Sequence, residues 1–196
     1  MPYKDQVLEE KATVIARLEE AGAVMVAKLT LGALAWGDVW YGGVTRNPWN
    51  PEQGSSGSSA GSASATSAGL VAFSIGTETL GTIECPSTRC GISVVSPSYG
   101  RVSLTGAMAL SWTMDKIGPI CRSAEDCAIV FDAIYGPDGK DQSLIPAAFN
   151  YQAEVDFSKM RIGYVPAFFE RQYLNQERDN AVLEVLKENG AELIPV

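Results

Sequence analysis

The hydrophobic pattern of the N-terminal part predicts a helix followed by a buried strand. Across residues 5–21, apolar side chains recur at close to helical spacing, and Gly22 is placed to end the helix. These apolar positions are Val7, Leu8, Ala12, Ile15 and Leu18. Residues 23–29 (AVMVAKL) form a short apolar run with β-branched residues, which is typical of a buried strand. A helix that leads into a buried strand indicates α/β layering.

A run of small residues at positions 54–70, GSSGSSAGSASATSAGL, has two possible interpretations. Segments of this composition are often flexible linkers. Here, however, alanines and Thr66 are interleaved with the serines, and apolar residues follow Gly69 without a break. We therefore predict a small-residue helix that lies deep in the protein and leads into a buried strand ending near Ile75. A phosphate-binding P-loop is excluded, because no lysine follows the glycines at the required spacing.

The C-terminal half continues the alternation of helices and strands. Ser123 and Asp126 form a capping arrangement before a helix with one apolar face. That face carries Cys127, Val130, Phe131 and Ile134. From Met160 the sequence predicts a strand (RIGYVPAFF), a helix over about residues 175–189 that ends at Gly190, and a second strand (AELIPV).

Aromatic residues cluster in the glycine-rich region that precedes the small-residue run. They are Trp36, Trp40, Tyr41 and Trp49. We interpret them as sealing a core or a loop, and the alternative is that some of them line a substrate channel.

Composition limits the function without naming it. The chain has 196 residues, of which 46% are hydrophobic, so it can bury a sizeable core. Its net charge of −8 argues against direct binding of nucleic acid or of an anionic membrane, since either would need a basic surface. The start of the chain is charged and no long apolar run occurs, so neither a signal peptide nor a membrane span is predicted. The cytoplasm is the expected location.

The absence of histidine removes several classes of active site. Without it, the chain cannot build a Ser-His-Asp or Cys-His site or a His-based metal centre. The four cysteines fit no common zinc spacing, so we interpret them as buried, reduced residues and predict no metal and no cofactor. A hydroxyl nucleophile would need another base, and lysine is the obvious candidate. A lysine base must be neutral, which requires an environment that lowers its pKa.

The turn formed by residues 76–82, GTETLGT, is where such chemistry would lie. Tight glycine-containing turns can aim successive backbone N–H groups at one point, as an oxyanion hole requires.

Five segments in order resemble the amidase signature family. They are TRNPWNPEQ at 45–53, the small-residue run, VAFSIGTETLGTIECPSTRCG at 71–91, YGRVS at 99–103 and MDKIGPICRSAEDCA at 114–128. Members of this family cleave amide C–N bonds with a Ser, cis-Ser, Lys triad. The resemblance implies an α/β fold with a mixed sheet and helices on both faces. It makes residues 1–196 a partial amidase domain, with the signature at about 45–128 and both ends truncated.

The same resemblance assigns the site residues. Ser58 takes the position of the cis-serine, Ser59 follows it as a supporting residue, and Thr82 takes the position of the nucleophilic serine. The oxyanion hole falls on the N–H groups of Thr79, Leu80, Gly81 and Thr82. The implied substrate is a small-molecule amide, and the oligomeric state stays open.

Two departures from the family pattern bear on activity. Threonine replaces serine at position 82, which adds a methyl group that crowds the nucleophile. The family's catalytic lysine belongs to a segment upstream of this sequence, and neither Lys4 nor Lys28 matches it. Apart from these two departures, Leu80 stands where the family usually has glycine, which would strain the turn if it needed a positive φ. We therefore expect this chain by itself to have little or no amidase activity. Asp115, Arg122 and Asp126 match family positions that we interpret as structural.

Two alternatives remain open beside a stand-alone amidase. One is the A-type subunit of an amidotransferase that feeds ammonia to mischarged tRNA. The other is a non-catalytic remnant. Thermal unfolding followed by circular dichroism would reveal a remnant without a stable fold, because its unfolding would not be cooperative.

Overall fold

The structure, a computed structural model, describes residues 5–196. The chain divides into two compact units, one that ends at Asn150 and one that comprises Tyr151–Val196. Each unit combines helices with strands, so the predicted α/β class is confirmed.

The described part of the first unit contains four α-helices and seven strands. The helices are α1 (Thr13–Glu20), α2 (Ala60–Ser67), α3 (Glu84–Cys90) and α4 (Ala124–Ile134), and a 3₁₀ turn occupies Ala33–Ala35. The strands are β1 (Val39–Trp40), β2 (Gly43–Val44), β3 (Arg46–Asn47), β4 (Asn50–Gly54), β5 (Phe73–Glu78), β6 (Ser93–Val94) and β7 (Lys116–Cys121). The pairs β1-β2 and β3-β4 are antiparallel ribbons, and the remaining strands form an antiparallel sheet in the order β5-β7-β6.

The three-stranded sheet and helix α4 form the core of the first unit. Strand β5 pairs with β7 from Phe73↔Cys121 to Glu78↔Lys116. The predicted apolar face of α4 is confirmed, because all of its residues are buried. Val14 and Leu18 of α1 join the same apolar cluster. Ser123 caps α4 as predicted, since its hydroxyl accepts a hydrogen bond from the Asp126 N–H at 3.0 Å.

The small-residue run is a buried helix and not a linker, as predicted. Six of the eight residues of α2 are buried. Its small side chains allow close backbone approach, since a Cβ atom on Gly61 would lie 2.4 Å from the Thr30 nitrogen. The buried hydroxyls are satisfied locally, because Ser62 donates to the Ile75 carbonyl at 2.9 Å and Thr66 bonds to Ser74 at 2.8 Å. Helix α2 therefore lies directly against strand β5.

The N-terminal helix is shorter than the helix that the apolar pattern predicts over residues 5–21. Helix α1 begins only at Thr13, where the Thr13 N–H donates to the Thr105 carbonyl and its hydroxyl donates to Asp138. Val7 and Leu8 precede the helix and are exposed. The end at Gly22 is confirmed: this glycine has a φ of +90°, and its N–H donates to the Glu19 carbonyl.

The prediction of a buried strand over residues 23–29 is wrong. These residues are irregular, and most of their apolar side chains are exposed. A strand needs a hydrogen-bonded neighbour, and no segment among residues 5–196 pairs with this one. Instead, residues 23–29 form one wall of an apolar cleft of about 680 Å³ whose other wall includes residues 70–75.

The cysteines and the aromatic cluster differ in part from expectation. All four cysteines are free thiols. Cys90, Cys121 and Cys127 are buried, whereas Cys85, in the first turn of α3, is exposed. The aromatic cluster does not seal a core, since Trp36, Tyr41 and Trp49 are largely exposed.

The second unit follows the predicted strand–helix–strand order. Its elements are a 3₁₀ turn (Phe157–Lys159), β8 (Arg161–Tyr164), α5 (Pro166–Glu170), α6 (Gln176–Glu188) and β9 (Glu192–Pro195). The first strand is shorter than its apolar run, because Pro166 starts α5. Strands β8 and β9 are parallel. Gly190, with a φ of +93°, follows the end of α6 as predicted.

Candidate active site

The turn between β5 and α3 brings the predicted site residues to one end of the three-stranded sheet. Strand β5 ends at Glu78, and helix α3 starts at Glu84. Between them, Gly81 has a φ of +77°, a conformation that strongly favours glycine. A Cβ atom on Gly81 would also lie 3.1 Å from the Cys85 sulfur. A tight turn is therefore present as predicted, but it comprises only residues 79–82. The predicted end of the strand near Ile75 is wrong, because residues 76–78 pair with β7 and extend β5 to Glu78.

The Thr82 side chain is buried within this turn. Only 7% of Thr82 is exposed, and its hydroxyl donates to the Thr77 carbonyl at 2.8 Å. The Thr82 carbonyl accepts a hydrogen bond from the Ser59 N–H at 3.0 Å. This backbone contact places the start of the small-residue helix side by side with the turn, although the two segments are far apart in sequence.

Ser59 fastens the two segments together. Its hydroxyl donates to the Thr77 carbonyl and accepts from the Thr77 N–H, both at 3.2 Å. The Thr77 carbonyl therefore receives the hydroxyls of both Ser59 and Thr82. Since Ser59 is fully buried and its hydroxyl is engaged on both sides, it supports the turn.

Ser58 lies next to this contact and follows a cis peptide bond with Gly57. The residue is 3% exposed, and its carbonyl accepts a hydrogen bond from the Gly32 N–H at 2.9 Å. The hydrogen bonds formed among residues 5–196 leave the Ser58 hydroxyl unengaged. Gly57 is required here, because a Cβ atom on it would lie 1.9 Å from the Gly37 carbonyl oxygen. Within the described chain, Ser58 thus has a hydroxyl without a hydrogen-bond partner, and it adjoins Ser59, whose N–H donates to the Thr82 carbonyl.

The backbone amides of the turn are largely unpaired. Within the described chain, the N–H groups of Thr79, Leu80 and Thr82 donate to no other residue. The Gly81 N–H faces the Glu78 carboxylate, which makes it the least available of the four amides for an oxyanion. Leu80 does not have a positive φ and is 81% exposed, so replacing the usual glycine does not force this residue into the left-handed region.

The Glu78 carboxylate organises the other side of the turn. It accepts hydrogen bonds from the Ile83 N–H at 2.9 Å, the Glu84 N–H at 3.2 Å and the Ser96 hydroxyl at 2.9 Å. Burial by itself would raise the pKa of Glu78, but these hydrogen bonds outweigh it and lower the pKa below its ordinary value. Glu78 therefore stays ionised and caps the N-terminus of α3.

Asp115 and Lys116 hold the turn from the start of strand β7, which Asp115 directly precedes. The buried Asp115 carboxylate accepts the Thr79 hydroxyl at 2.5 Å and the Leu110 N–H at 2.7 Å. The Lys116 ammonium donates to the Thr79 carbonyl at 3.0 Å and to the Met114 carbonyl at 2.8 Å. The predicted structural role of Asp115 is confirmed by these bonds.

Sequence reasoning missed Glu78 and Lys116 as organisers of the site. An acidic residue shortly before a helix start is a recognisable capping signal, so Glu78 could have been found. Lys116 carried no such signal, because only the pairing of β5 with β7 brings it opposite Glu78 and next to Thr79.

The remaining residues singled out in the sequence lie outside this arrangement. Lys28 is exposed, and Lys4 falls outside the described residues. The Arg122 guanidinium donates to the carbonyls of Thr66 and Val71, which gives it the predicted structural role. No cluster of three or more acidic, cysteine or histidine side chains that could hold a metal ion occurs among residues 5–196.

Comparison with known proteins assigns the family. The Amidase family model matches residues 3–196, so the chain belongs to the amidase family. The A-type subunit of glutamyl-tRNA(Gln) amidotransferase from Lachnoclostridium phytofermentans is 39% identical and aligns with 96% of this chain and 40% of its own length. That of Roseiflexus castenholzii is 40% identical over 94% of this chain and 39% of its own length.

Solved structures of the family have the same fold. The crystal structure of the corresponding glutamyl-tRNA(Gln) amidotransferase protein from Thermotoga maritima has a TM-score of 0.86 at 34% identity, covering 95% of this chain and 43% of that one. The peptide amidase from Stenotrophomonas maltophilia has a TM-score of 0.83 at 33% identity, covering 95% and 42%. The amidase-signature fold is therefore confirmed.

The chain spans about 40% of the length of the relatives it matches. No helix in the part of the chain that the structure describes combines the length and apolarity needed to cross a lipid bilayer.

Proposed function

We propose that residues 58 and 79–82 form the acyl-transfer part of an amide-hydrolysing active site. The observation that carries this proposal is the hydrogen bond from the Ser59 N–H to the Thr82 carbonyl. It places buried Ser58, the residue before Ser59, and buried Thr82 on adjoining segments beside unpaired backbone amides. That combination supplies a nucleophile, a second hydroxyl and oxyanion donors, which are the groups that acyl transfer requires. Residues 1–196 would then be part of one amidase domain, because the family match spans nearly all of them.

The chemistry would proceed in two stages. The Thr82 oxygen bonds to the amide carbonyl carbon as its proton passes to Ser58, which at the same time gives its own hydroxyl proton to a base. The N–H groups of the turn hold the negative oxygen. The C–N bond then breaks, the departing amine takes a proton through Ser58, and an ester on Thr82 remains. Water attacks that ester, releasing the carboxylic acid and restoring the Thr82 hydroxyl.

The base that drives this relay is proposed to be a lysine outside residues 5–196. Among the described lysines, Lys28 is exposed and Lys116 donates to two carbonyls, and none bonds to Ser58 or Thr82. We therefore expect the 196-residue chain alone to release ammonia from simple amides only slowly. An activated ester needs less help from a base, because its leaving group departs without protonation.

The test is acylation of Thr82 by a p-nitrophenyl ester, followed by mass-spectrometric mapping of the modified residue. We expect nitrophenolate release with an ester on Thr82, lost in Thr82→Ala and strongly slowed in Ser58→Ala. Acylation elsewhere, or equal rates in all three proteins, would overturn the proposed site. Fast ammonia release from a simple amide that Thr82→Ala abolishes would support the site and refute the need for an outside base.

A second candidate is an amidotransferase A-type subunit that supplies ammonia for mischarged tRNA. The observation that favours it is that two relatives, at 39% and 40% identity, are named as this subunit of glutamyl-tRNA(Gln) amidotransferase. In that case the chain would need protein partners. Those partners would bind the tRNA, because a chain with a net charge of −8 is poorly suited to bind it directly. Co-purification of a tagged chain with amidotransferase subunits encoded by the same organism would support this role, and a strictly monomeric protein would contradict it.

The location proposed for either activity is the cytoplasm. It is supported by the four free cysteine thiols, three of which are buried. Fractionation of the source cells tests it.

A further inference from the structure

Lys116 makes an unusual pair of contacts at the candidate site. Its ammonium group donates to the carbonyl oxygens of Thr79 and Met114, and it forms no ion pair with any residue of the described chain. Lysine is a strongly hydrated cation that is normally found in water or beside a carboxylate. Here it is half-buried, and one of its two acceptors belongs to the turn with the unpaired amides.

The contact with Thr79 fixes the direction of the next amide. The Thr79–Leu80 peptide bond is trans, so its C=O and N–H groups point in opposite directions in one plane. While Lys116 holds the Thr79 carbonyl on one side, the Leu80 N–H must point to the other side. A rotation of this peptide would break the hydrogen bond to the ammonium and turn the Leu80 N–H towards Lys116.

The same residue is held a second time through its side chain. The Thr79 hydroxyl donates to the buried Asp115 carboxylate, whose other oxygen accepts from the Leu110 and Ser111 N–H groups. Asp115 therefore fixes the Thr79 hydroxyl, and Lys116 fixes the Thr79 carbonyl. These two residues are consecutive, and Lys116 is the first residue of β7. In addition, a cation that bonds to a carbonyl polarises the peptide and strengthens its N–H as a donor.

We propose that Lys116 is a positioning residue that locks and polarises the Thr79–Leu80 peptide, so that the Leu80 N–H serves as an oxyanion donor. This inference rests on the proposed acyl-transfer function. Lys116 touches neither the nucleophile nor its relay in this arrangement, so it acts through the backbone and not as a base. Such preorganised amides account for a large part of catalysis in acyl transfer.

The kinetic test compares Lys116→Met, Lys116→Arg and the matched control Lys140→Met, which removes the same charge from an exposed loop. In Lys116→Met we expect the rate constant for ester acylation of Thr82 to fall about 10-fold or more, with ester affinity changed less than about 2-fold. Lys116→Arg keeps a charged donor and should retain most of the rate, and Lys140→Met should retain all of it. An unchanged rate in Lys116→Met overturns the proposal. A shifted pH–rate profile does so as well, since it would identify Lys116 as a base.

A second measurement does not depend on activity. The ¹³C resonance of the Thr79 carbonyl and the ¹⁵N resonance of the Leu80 amide should both shift in Lys116→Met and return close to wild type in Lys116→Arg. If no variant acylates but these resonances respond as expected, the lock exists and the proposed function is the part that fails. If the resonances do not move, the lock itself is refuted.

Discussion

At the scale of single residues, the most consequential choice is threonine at position 82. Its hydroxyl is not free, because it donates to the Thr77 carbonyl at 2.8 Å. To attack a substrate, Thr82 must turn its hydroxyl away from that acceptor, and its β-methyl group restricts the rotation. A serine at the same position would turn more freely.

Thr82→Ser is therefore expected to acylate faster than the wild-type protein. An unfavourable rotamer costs about 0.5–1.5 kcal/mol, which corresponds to roughly a 2- to 12-fold gain in rate. Stopped-flow measurement of nitrophenolate release checks this, with Thr88→Ser on the exposed surface of α3 as the matched control. A slower Thr82→Ser protein would show that the methyl group orients the hydroxyl and does not hinder it.

At the scale of elements, the Glu78 side chain caps the N-terminus of α3. The helix has no side-chain cap from its own Ncap residue, Ile83, yet the Ile83 and Glu84 N–H groups both donate to the Glu78 carboxylate. The same carboxylate holds Ser96 just after β6. One buried acid thus joins β5, α3 and the segment after β6, and thereby fixes the far end of the candidate oxyanion turn.

Glu78→Gln should destabilise the first unit by about 1–2 kcal/mol, because the uncharged amide accepts weaker hydrogen bonds than the carboxylate. Denaturant unfolding monitored by circular dichroism measures the difference. Glu84→Gln, which removes a charge from the exposed first turn of α3, should change stability by less than about 0.5 kcal/mol. Equal effects of the two substitutions would refute the capping role of Glu78.

At the scale of the whole molecule, the pH dependence of stability rests on hydrogen-bonded carboxylates that connect distant segments of the first unit. The Asp138 carboxylate accepts the Ser103 hydroxyl, the Asp141 N–H and the Thr13 hydroxyl. Burial by itself would raise the pKa of Asp138, but these hydrogen bonds lower it well below its ordinary value. The pKa values of Asp141 and Glu78 are lowered in the same way. All three groups are therefore easier to ionise in the folded state than in the unfolded chain.

The sign of the pH dependence follows from these lowered pKa values. The stabilisation is fully present above the unfolded pKa values of about 4 and is lost as the pH falls through the lower folded values. We expect the free energy of unfolding to be nearly constant from about pH 8 to pH 5 and to fall progressively below about pH 4.5.

The check is a series of denaturant melts across that range. Asp138→Asn should be less stable at neutral pH and should lose less stability on acidification. Asp132→Asn, at an exposed position of α4, should follow the wild-type curve. Stability that rises as the pH falls below 4.5 would contradict the assignment.

The sequence by itself determined the features that depend on local chemistry or on a motif. The Ser123 cap, the apolar face of α4, the end of α1 at Gly22 and the glycine in the turn all follow from short-range patterns, and the structure confirms them. The amidase family and the buried small-residue helix could also be predicted, because those motifs keep their order and spacing along the chain.

Only the tertiary structure decided what depends on a partner distant in sequence. Residues 23–29 have the composition of a buried strand, but a strand exists only where another segment accepts its hydrogen bonds. Helix α1 starts where Thr13 meets Thr105 and Asp138, and not where its apolar pattern begins. Likewise, Lys116 reaches Thr79 only because the backbone hydrogen bonds between β7 and β5 bring the two residues together. They are too far apart in sequence for any local pattern to indicate this contact.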